Sequence, residues 1–419
     1  MLFYICINQL NAQEIPVSIK DDNNLINEIV EKCKDNIINN NTNSKAISKD
    51  EALYLLKGNS DITPILMNLS ASLKATFKNE VVTYSRKIFI NITNLCRDFC
   101  SYCTYRKNPF ESSSIMMMPA EVMNLAKIGK KYRCTEALIV AGERPEERYK
   151  ESREWLKQLG FSTLVEYVID MSEKIVKETG LLPHSNLGNI TKEEMKLLKV
   201  YNVSLGLMLE SSSERLVQKD MAHEFAPSKN PKNRLEVIRN AGRMKIPLTT
   251  GLLIGIGETK EEIINDLFLL KEINSKFGNI QEIILQNFQP KINTRMQDSP
   301  SPTKDYFLKI VSLARLIMPD MNIQIPPNLS PGYYSRFLDA GINDWGGISP
   351  VTIDHVNPEF SWPKIKELRE ITELKHQKLR ARLPVYPEFI DKEGFISAEL
   401  RDYIESFIDL NRLVKEEYI

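Results

Sequence analysis

From about residue 81 onward, short apolar runs alternate with longer amphipathic segments. The runs at 88–92, 137–140, 181–185, 203–209, 248–254, 280–287, 322–325 and 342–345 have the length and composition of buried strands. Between them, residues 119–131, 164–179, 192–201, 233–244, 260–276, 304–318 and 333–340 read as helices. Strands that alternate with helices predict parallel βαβ units. Up to eight such units predict an α/β fold of the closed (βα)₈ type. In such a barrel the C-terminal strand ends and the loops after them face the active site. Every chemically notable residue can therefore be tested by its position.

The flanks differ. Residues 1–80 predict a helical N-terminal extension, with a capped helix start of the Ser-x-x-Glu kind at Ser48 to Glu51. The run 1–7 reads as a strand or flexible end and the Asn-rich stretch 39–44 as a loop. Residues 81–360 form the expected barrel, and the charged stretch in 361–419 predicts a C-terminal helical segment. Lys and Arg together number 55, equal to Asp and Glu, which argues against broad electrostatic binding of nucleic acid. No apolar run approaches the roughly 18 residues of a membrane span. A cytoplasmic enzyme acting on a small molecule is the expectation.

Six cysteines are few for 419 residues, and three of them fall in Cys96-Arg97-Asp98-Phe99-Cys100-Ser101-Tyr102-Cys103, just after the first predicted strand. That is an intracellular metal pattern, not a disulfide framework. Three thiolates in one loop suit three irons of a cubane and leave the fourth iron open, as catalysis requires. A structural Cys₃His zinc site is the alternative, but the histidines (His184, His223, His355, His376) all lie far along the chain. Cys6, Cys33 and Cys134 are scattered and expected to be dispensable for the metal.

The Cys-x₃-Cys-x₂-Cys loop, with an aromatic residue before its last Cys, resembles the signature of the radical S-adenosylmethionine (SAM) superfamily. The resemblance implies a [4Fe–4S] cluster on Cys96, Cys100 and Cys103, with the amino and carboxylate groups of SAM on the open iron. One-electron reduction then yields a 5′-deoxyadenosyl radical. It also implies that Tyr102 sets its backbone near the adenine. Ala141-Gly142-Glu143 resembles the superfamily's Gly-Gly-Glu motif, so Gly142 and Glu143 would receive the cofactor's ammonium. Glu210 after the fourth strand would bind ribose hydroxyls or the ammonium, or else form a buried ion pair with Arg215. Arg215 would alternatively clamp the cofactor carboxylate. Gly251-Leu252-Leu253-Ile254-Gly255-Ile256-Gly257-Glu258 resembles the Gly-x-Ile-x-Gly-x-x-Glu element, placing Gly251, Leu253 and Gly255 against the adenine.

Longer stretches narrow the resemblance. The cysteine loop extended through Thr104-Tyr105, Ala141-Gly142-Glu143-Arg144-Pro145-Glu146, the segment 326–331 and the segment 344–358 are similar to the 7,8-didemethyl-8-hydroxy-5-deazariboflavin (FO) synthase family. Membership implies hydrogen abstraction from an adduct of tyrosine and 5-amino-6-(D-ribitylamino)uracil, then ring closure and loss of ammonia, a carbon–nitrogen lyase reaction on the way to coenzyme F420. It also implies a companion FO synthase subunit that makes the adduct, and a reductant such as ferredoxin or flavodoxin. For a substrate carrying a ribityl chain, a uracil and a phenol, Asn186, Gln286, Asn287 and Gln289 at predicted strand ends offer amide partners. Asp354 and His355 would transfer protons as ammonia leaves, and His184 is as much a barrel residue as a ligand. The rivals are a radical enzyme of the biotin-synthase or hydrogenase-maturation kind, and an iron–sulfur electron carrier.

Overall fold

The computed structural model describes residues 26, 28–32 and 47–418. Cys6, Cys33, the stretch 1–7 and the loop 39–44 lie outside the described residues.

Eight strands close into a parallel barrel: β1 (Val81–Thr93), β2 (Glu136–Ala141), β3 (Leu182–Asn186), β4 (Ser204–Gly206), β5 (Leu248–Ile254), β6 (Ile280–Asn287), β7 (Ile323–Gln324) and β8 (Asp344–Ile348). Each pairs in parallel with the next, and β1 pairs with both β2 and β8. The expected α/β (βα)₈ fold is therefore the fold observed. The helices Pro119–Lys131, Leu164–Thr179, Lys192–Tyr201, Pro231–Arg243, Lys260–Phe277 and Lys304–Ile317 wrap it. Several start on side-chain caps: Thr163, Thr191 and Thr259 each accept a backbone N–H three residues on, satisfying an otherwise orphaned donor. Ser48 does the same ahead of Lys49–Lys57, as its sequence predicts.

Besides β1, which begins at Val81 and not at residue 88, two strands depart from expectation. β4 stops at Gly206 rather than running to Leu209, because Glu210 turns into the left-handed region at φ 64°. Past Gly206 the chain still bonds β5 from Leu207 N–H to Thr249 O (2.9 Å) and through the isolated bridge Glu210 to Leu252. The second departure is β9 (Lys378–Arg382), in the segment expected to be helical, which pairs in parallel with the lower half of β1 at Val81–Ser85. Leu379 and Ala381 are buried, and so is Arg382, whose guanidinium enters the barrel floor. Beyond β9 the chain does form helices, chiefly Ala398–Phe407. On the N-terminal side, Ile62–Lys78 packs along Lys304–Ile317, tied by a hydrogen bond from Thr63 Oγ1 to Asp305 Oδ1 of 2.6 Å.

β1 shows how the sequence makes the layers. Ile88 and Ile90 are fully buried under the helices, while Lys87 and Phe89, on the other face, line the barrel interior. Among the described residues no helix is long and apolar enough to cross a membrane.

Candidate active site

The cysteine loop leaves the C-terminal end of β1 and is clamped on two sides. On one side the backbone N–H of Arg97 donates to Glu143 O (2.9 Å), and Glu143 N–H donates to Cys96 Sγ (3.2 Å). On the other, Phe99 N–H donates to Phe225 O and Ser101 N–H to Ala222 O, each at 2.8 Å. Asp98, buried, accepts from Ser228 N–H at 3.2 Å. Gly142 permits the first clamp: a Cβ there would come within 2.0 Å of Leu95 O and 2.8 Å of Cys96 Cβ.

Cys96, Cys100 and Cys103 are free thiols on the wall of one cavity of about 320 Å³ inside the barrel mouth. Burial pushes the Cys96 thiol up to about 12, with Asp98 and Cys103 adding to it. Burial also holds Cys100 well above the ordinary thiol range, against the pull of Lys229. Among the described residues no three His, Cys, Asp or Glu side chains are placed to share one metal ion. The histidine nearest the loop, His223, is engaged instead by Tyr102: Oη and Nε2 lie 3.0 Å apart. Burial holds its imidazole down to about 2, so it is neutral.

Two carboxylates complete this wall. Glu143 is buried, and its Oε2 accepts from Arg234 at 3.4 Å, while its Oε1 has no hydrogen bond and lies 3.7 Å from Arg97. Glu210 pairs with Lys229 at 2.6 Å, and its Oε2 is buried without a partner. Neither oxygen has a hydrogen bond within the protein, so both can accept one from a ligand in the cavity. The donor set thus fits a cubane plus an amino-acid zwitterion: three thiols, two carboxylate oxygens without a hydrogen bond, and the cations Arg97, Lys229 and Arg234.

The other residues singled out from the sequence divide. Tyr102, Gly142, Glu143, Glu210, Asn186, Gln286 and Asp354 line the cavity, as does His184. Arg215 does not: it donates to Gly257 O (2.6 Å) and is bound by Glu262 (2.7 Å) on the outer side of the barrel. Glu210 therefore finds Lys229, not Arg215. Gly251 is required by sheet packing, since a Cβ would meet Ile284 O of β6 at 1.9 Å. Leu253 joins a small apolar cluster with Leu216, Ile256 and Phe288, against which Tyr102 packs. Gly255, at φ 103°, borders a separate outer depression of about 920 Å³. Asn287 and Gln289 both donate to Leu329 O at 3.1 Å and sit outside the cavity; the period of two turns Gln286 inward and Asn287 away. Asp354 accepts from Asn328 Nδ2 (3.0 Å) and from the N–H groups of Val356 and Asn357 (3.0 and 3.1 Å). His355 packs edge-on against Phe89, its ring centroid 5.1 Å away, and burial lowers its basicity.

Lys229, Arg234, Lys87, Gln324 and Trp362 line the cavity without having been singled out. Lys229 and Arg234 fall in Ser228-Lys229-Asn230-Pro231-Lys232-Asn233-Arg234, whose charges read as an ordinary solvated helix start.

Residues 90–270 match the family model of the radical SAM superfamily. The 7,8-didemethyl-8-hydroxy-5-deazariboflavin synthase of Methanopyrus kandleri is 46% identical over 329 residues, covering 78% of this chain and 98% of that protein. The protein of the same name from Methanocaldococcus jannaschii is 47% identical over 347 residues, covering 83% and 95%. An FO synthase of Streptomyces coelicolor is 42% identical over 81% of this chain but only 40% of its own length. Among solved structures, the FeFe-hydrogenase maturase HydG from Carboxydothermus hydrogenoformans superposes with a TM-score of 0.70 at 18% identity, covering 96% of this chain and 90% of that one. At that identity the likeness concerns the fold alone.

Proposed function

The chain belongs to the 7,8-didemethyl-8-hydroxy-5-deazariboflavin synthase family of the radical SAM superfamily and has the FO synthase function, and from that premise we propose which of its residues perform each part of the reaction. Cys96, Cys100 and Cys103 would hold a [4Fe–4S] cluster, which when bound together with SAM would supply the one-electron chemistry that generates a hydrogen-abstracting radical.

The chain's own part begins with orientation. The unpaired oxygens of Glu143 and Glu210 receive the cofactor's ammonium, and Arg234 and Lys229 receive its carboxylate; each ion pair opens to exchange a partner within the protein for one on the ligand. Tyr102, fixed by His223, and Leu253 form the apolar side on which the adenine rests. Gly142 holds the cluster loop against β2. On the opposite wall, Asn186 and Gln286 offer amide hydrogen bonds to the tyrosine–ribitylaminouracil adduct. Asp354, fixed by four hydrogen bonds from Asn328, Val356 and Asn357, transfers the proton as ammonia leaves, which makes the reaction a carbon–nitrogen lyase step. His355 positions that wall through Phe89. A companion synthase subunit supplies the adduct and a ferredoxin or flavodoxin the electron, in the reducing cytoplasm where an open iron survives.

The observation that carries this reading is one cavity bordered by three free thiols and by the oxygens of Glu143 and Glu210 that make no hydrogen bond. The test is anaerobic reconstitution, followed by assay with dithionite, SAM, tyrosine, the ribityl uracil and the companion enzyme. The expected result is 5′-deoxyadenosine together with deazaflavin fluorescence. A protein that carries its cluster and cleaves SAM but yields no deazaflavin would sink the substrate assignment.

A further inference from the structure

Lys87 is a lysine without a protein partner. It sits on β1 opposite Glu136 of β2, is only 7% exposed, and lines the cavity below the cysteines. Among the described residues no carboxylate or hydrogen-bond acceptor is within bonding reach of its Nζ. Its neighbours are aromatic faces: Nζ lies 4.6 Å from the Trp362 ring centroid and 5.4 Å from that of Phe89. Trp362 adds an indole N–H that is buried and unpaired. β8 makes the space, since a Cβ on Gly347 would meet Lys87 Cδ at 2.4 Å and Nζ at 2.8 Å. The ammonium thus faces the cavity with no anion of the protein against it, and a ligand's anionic group would complete it.

The charges around it come from every side. Burial, the strongest influence, holds the Lys87 ammonium below the ordinary lysine range; Glu136 on β2, Asp354 after β8 and Glu282 on β6 pull it back up, and Arg382 on β9 adds to the lowering. His184 on β3 is neutral, held down to about 3 by burial. The near contacts are flat and aromatic, which suits a planar ring system bearing one acidic oxygen.

We propose that Lys87 anchors an acidic oxygen on the planar heterocycle of the ligand, with Phe89 and Trp362 as aromatic walls beside it. This rests on the FO synthase reading, whose product by its name carries two such oxygen types: the 8-hydroxyl and the pyrimidinedione oxygens. Both delocalise negative charge, so one ammonium serves either.

The test titrates the 8-hydroxy-5-deazariboflavin product into the reconstituted full chain and follows its absorbance and fluorescence. Lys87→Met should weaken binding roughly tenfold or more, the scale of a hydrogen bond to a charged group. The pH at which the bound ring ionises should be lower in the wild type than in Lys87→Met. Melting temperature should hold or rise, because a buried unpaired charge has been removed. Gly347→Ala keeps the amine but displaces it, so it should weaken binding in the same direction, and it decides the matter if Lys87→Met does not fold. Binding within twofold of wild type in both variants, or no saturable binding by the wild type, overturns the anchor. With the analogue lacking the 8-hydroxyl, loss of the Lys87→Met effect assigns the hydroxyl, whereas persistence assigns the pyrimidinedione. Turnover with the companion enzyme is scored separately, so wild-type protein that binds the product but never forms it counts against the function and not against Lys87.

Discussion

At the floor of the barrel, Arg382 of β9 donates to both oxygens of Asp344 (2.6 and 3.0 Å) and to Glu282 Oε2 (3.3 Å). Tyr386 Oη donates to the same Glu282 oxygen at 2.7 Å, and Thr249 Oγ1 to the other at 2.7 Å. Thr83 and Gly346 complete Asp344. At the mouth, about one strand length above, Glu143 and Glu210 are as deeply buried, yet each keeps an oxygen without a hydrogen bond. Both ends bury carboxylates against cations, and only the floor saturates them. A saturated network has one low-energy arrangement and serves stability, whereas an unsaturated one holds its charges ready for a ligand. Mutations at the two ends should therefore separate folding from chemistry.

The widest separation is expected at the cysteine loop. Cys96→Ala, Cys100→Ala or Cys103→Ala should reduce SAM cleavage to background and abolish the iron–sulfur absorbance, with the cluster-free melting temperature close to wild type. Cys134→Ala, in the core away from the cavity, should keep the absorbance. Full activity in Cys100→Ala would refute the ligand assignment.

Arg382→Met tests the floor and should do the reverse. It leaves Asp344 and Glu282 buried without their cation, a loss of about 3–5 kcal/mol by the usual cost of breaking a buried ion pair from one side. Urea unfolding of cluster-free protein measures it. A midpoint unchanged from wild type would show that the floor network adds nothing to stability.

Glu210→Gln returns to the mouth with a smaller effect. The amide keeps the shape but loses the charge that pairs with Lys229, and the apparent affinity for SAM should fall roughly tenfold. Stability should change little, because the residue was never fully satisfied. An unchanged KM for SAM with a lowered melting temperature would place Glu210 with the floor residues instead.

How far these roles show in the sequence follows from the same division. Thiol spacing and Gly-Glu pairs at strand ends are local, so Cys96, Cys100, Cys103, Gly142 and Glu143 stand out before any fold is known. β5 and β6 match the expected bounds because their apolar cores, Leu252-Leu253-Ile254 and Ile283-Ile284-Leu285, are too short for a helix and rich in β-forming residues. Arg382 and β9 do not stand out, because Lys378-Leu379-Arg380-Ala381-Arg382 alternates charge with small apolar residues in a region of charged helices. Only the long lower half of β1 makes it a strand. Lys229 was invisible for a similar reason: its partner Glu210 is 19 residues away and meets it only because Glu210 adopts φ 64°. Arg215 misled because it is nearer to Glu210 in the chain, while Glu262 is nearer to it in space. Spacing finds chemistry on one loop; pairing across strands needs the barrel.

The smallest expected effect concerns the layer between floor and mouth. Ser204 Oγ donates to Pro384 O at 2.6 Å, which leaves it to accept from His184 Nδ1 at 2.7 Å. The imidazole is thus the Nδ1-protonated tautomer. Burial drives its folded-state value down to about 3, with Arg382 and Lys87 adding to the push. The sign follows from linkage: below pH about 6.5 the unfolded chain binds a proton that the folded chain refuses. Stability should therefore fall as pH drops from about 6.5 toward 3, at no more than about 1.4 kcal/mol per pH unit for this group. His184→Gln should remove that share of the slope and leave the share of His223, whose value is lowered to about 2 by burial as well. Urea midpoints at pH 7.5, 6.5 and 5.5 give the comparison. If the variant and the wild type lose stability in parallel, His184 is hydrated from the cavity, and the dry floor ends below it.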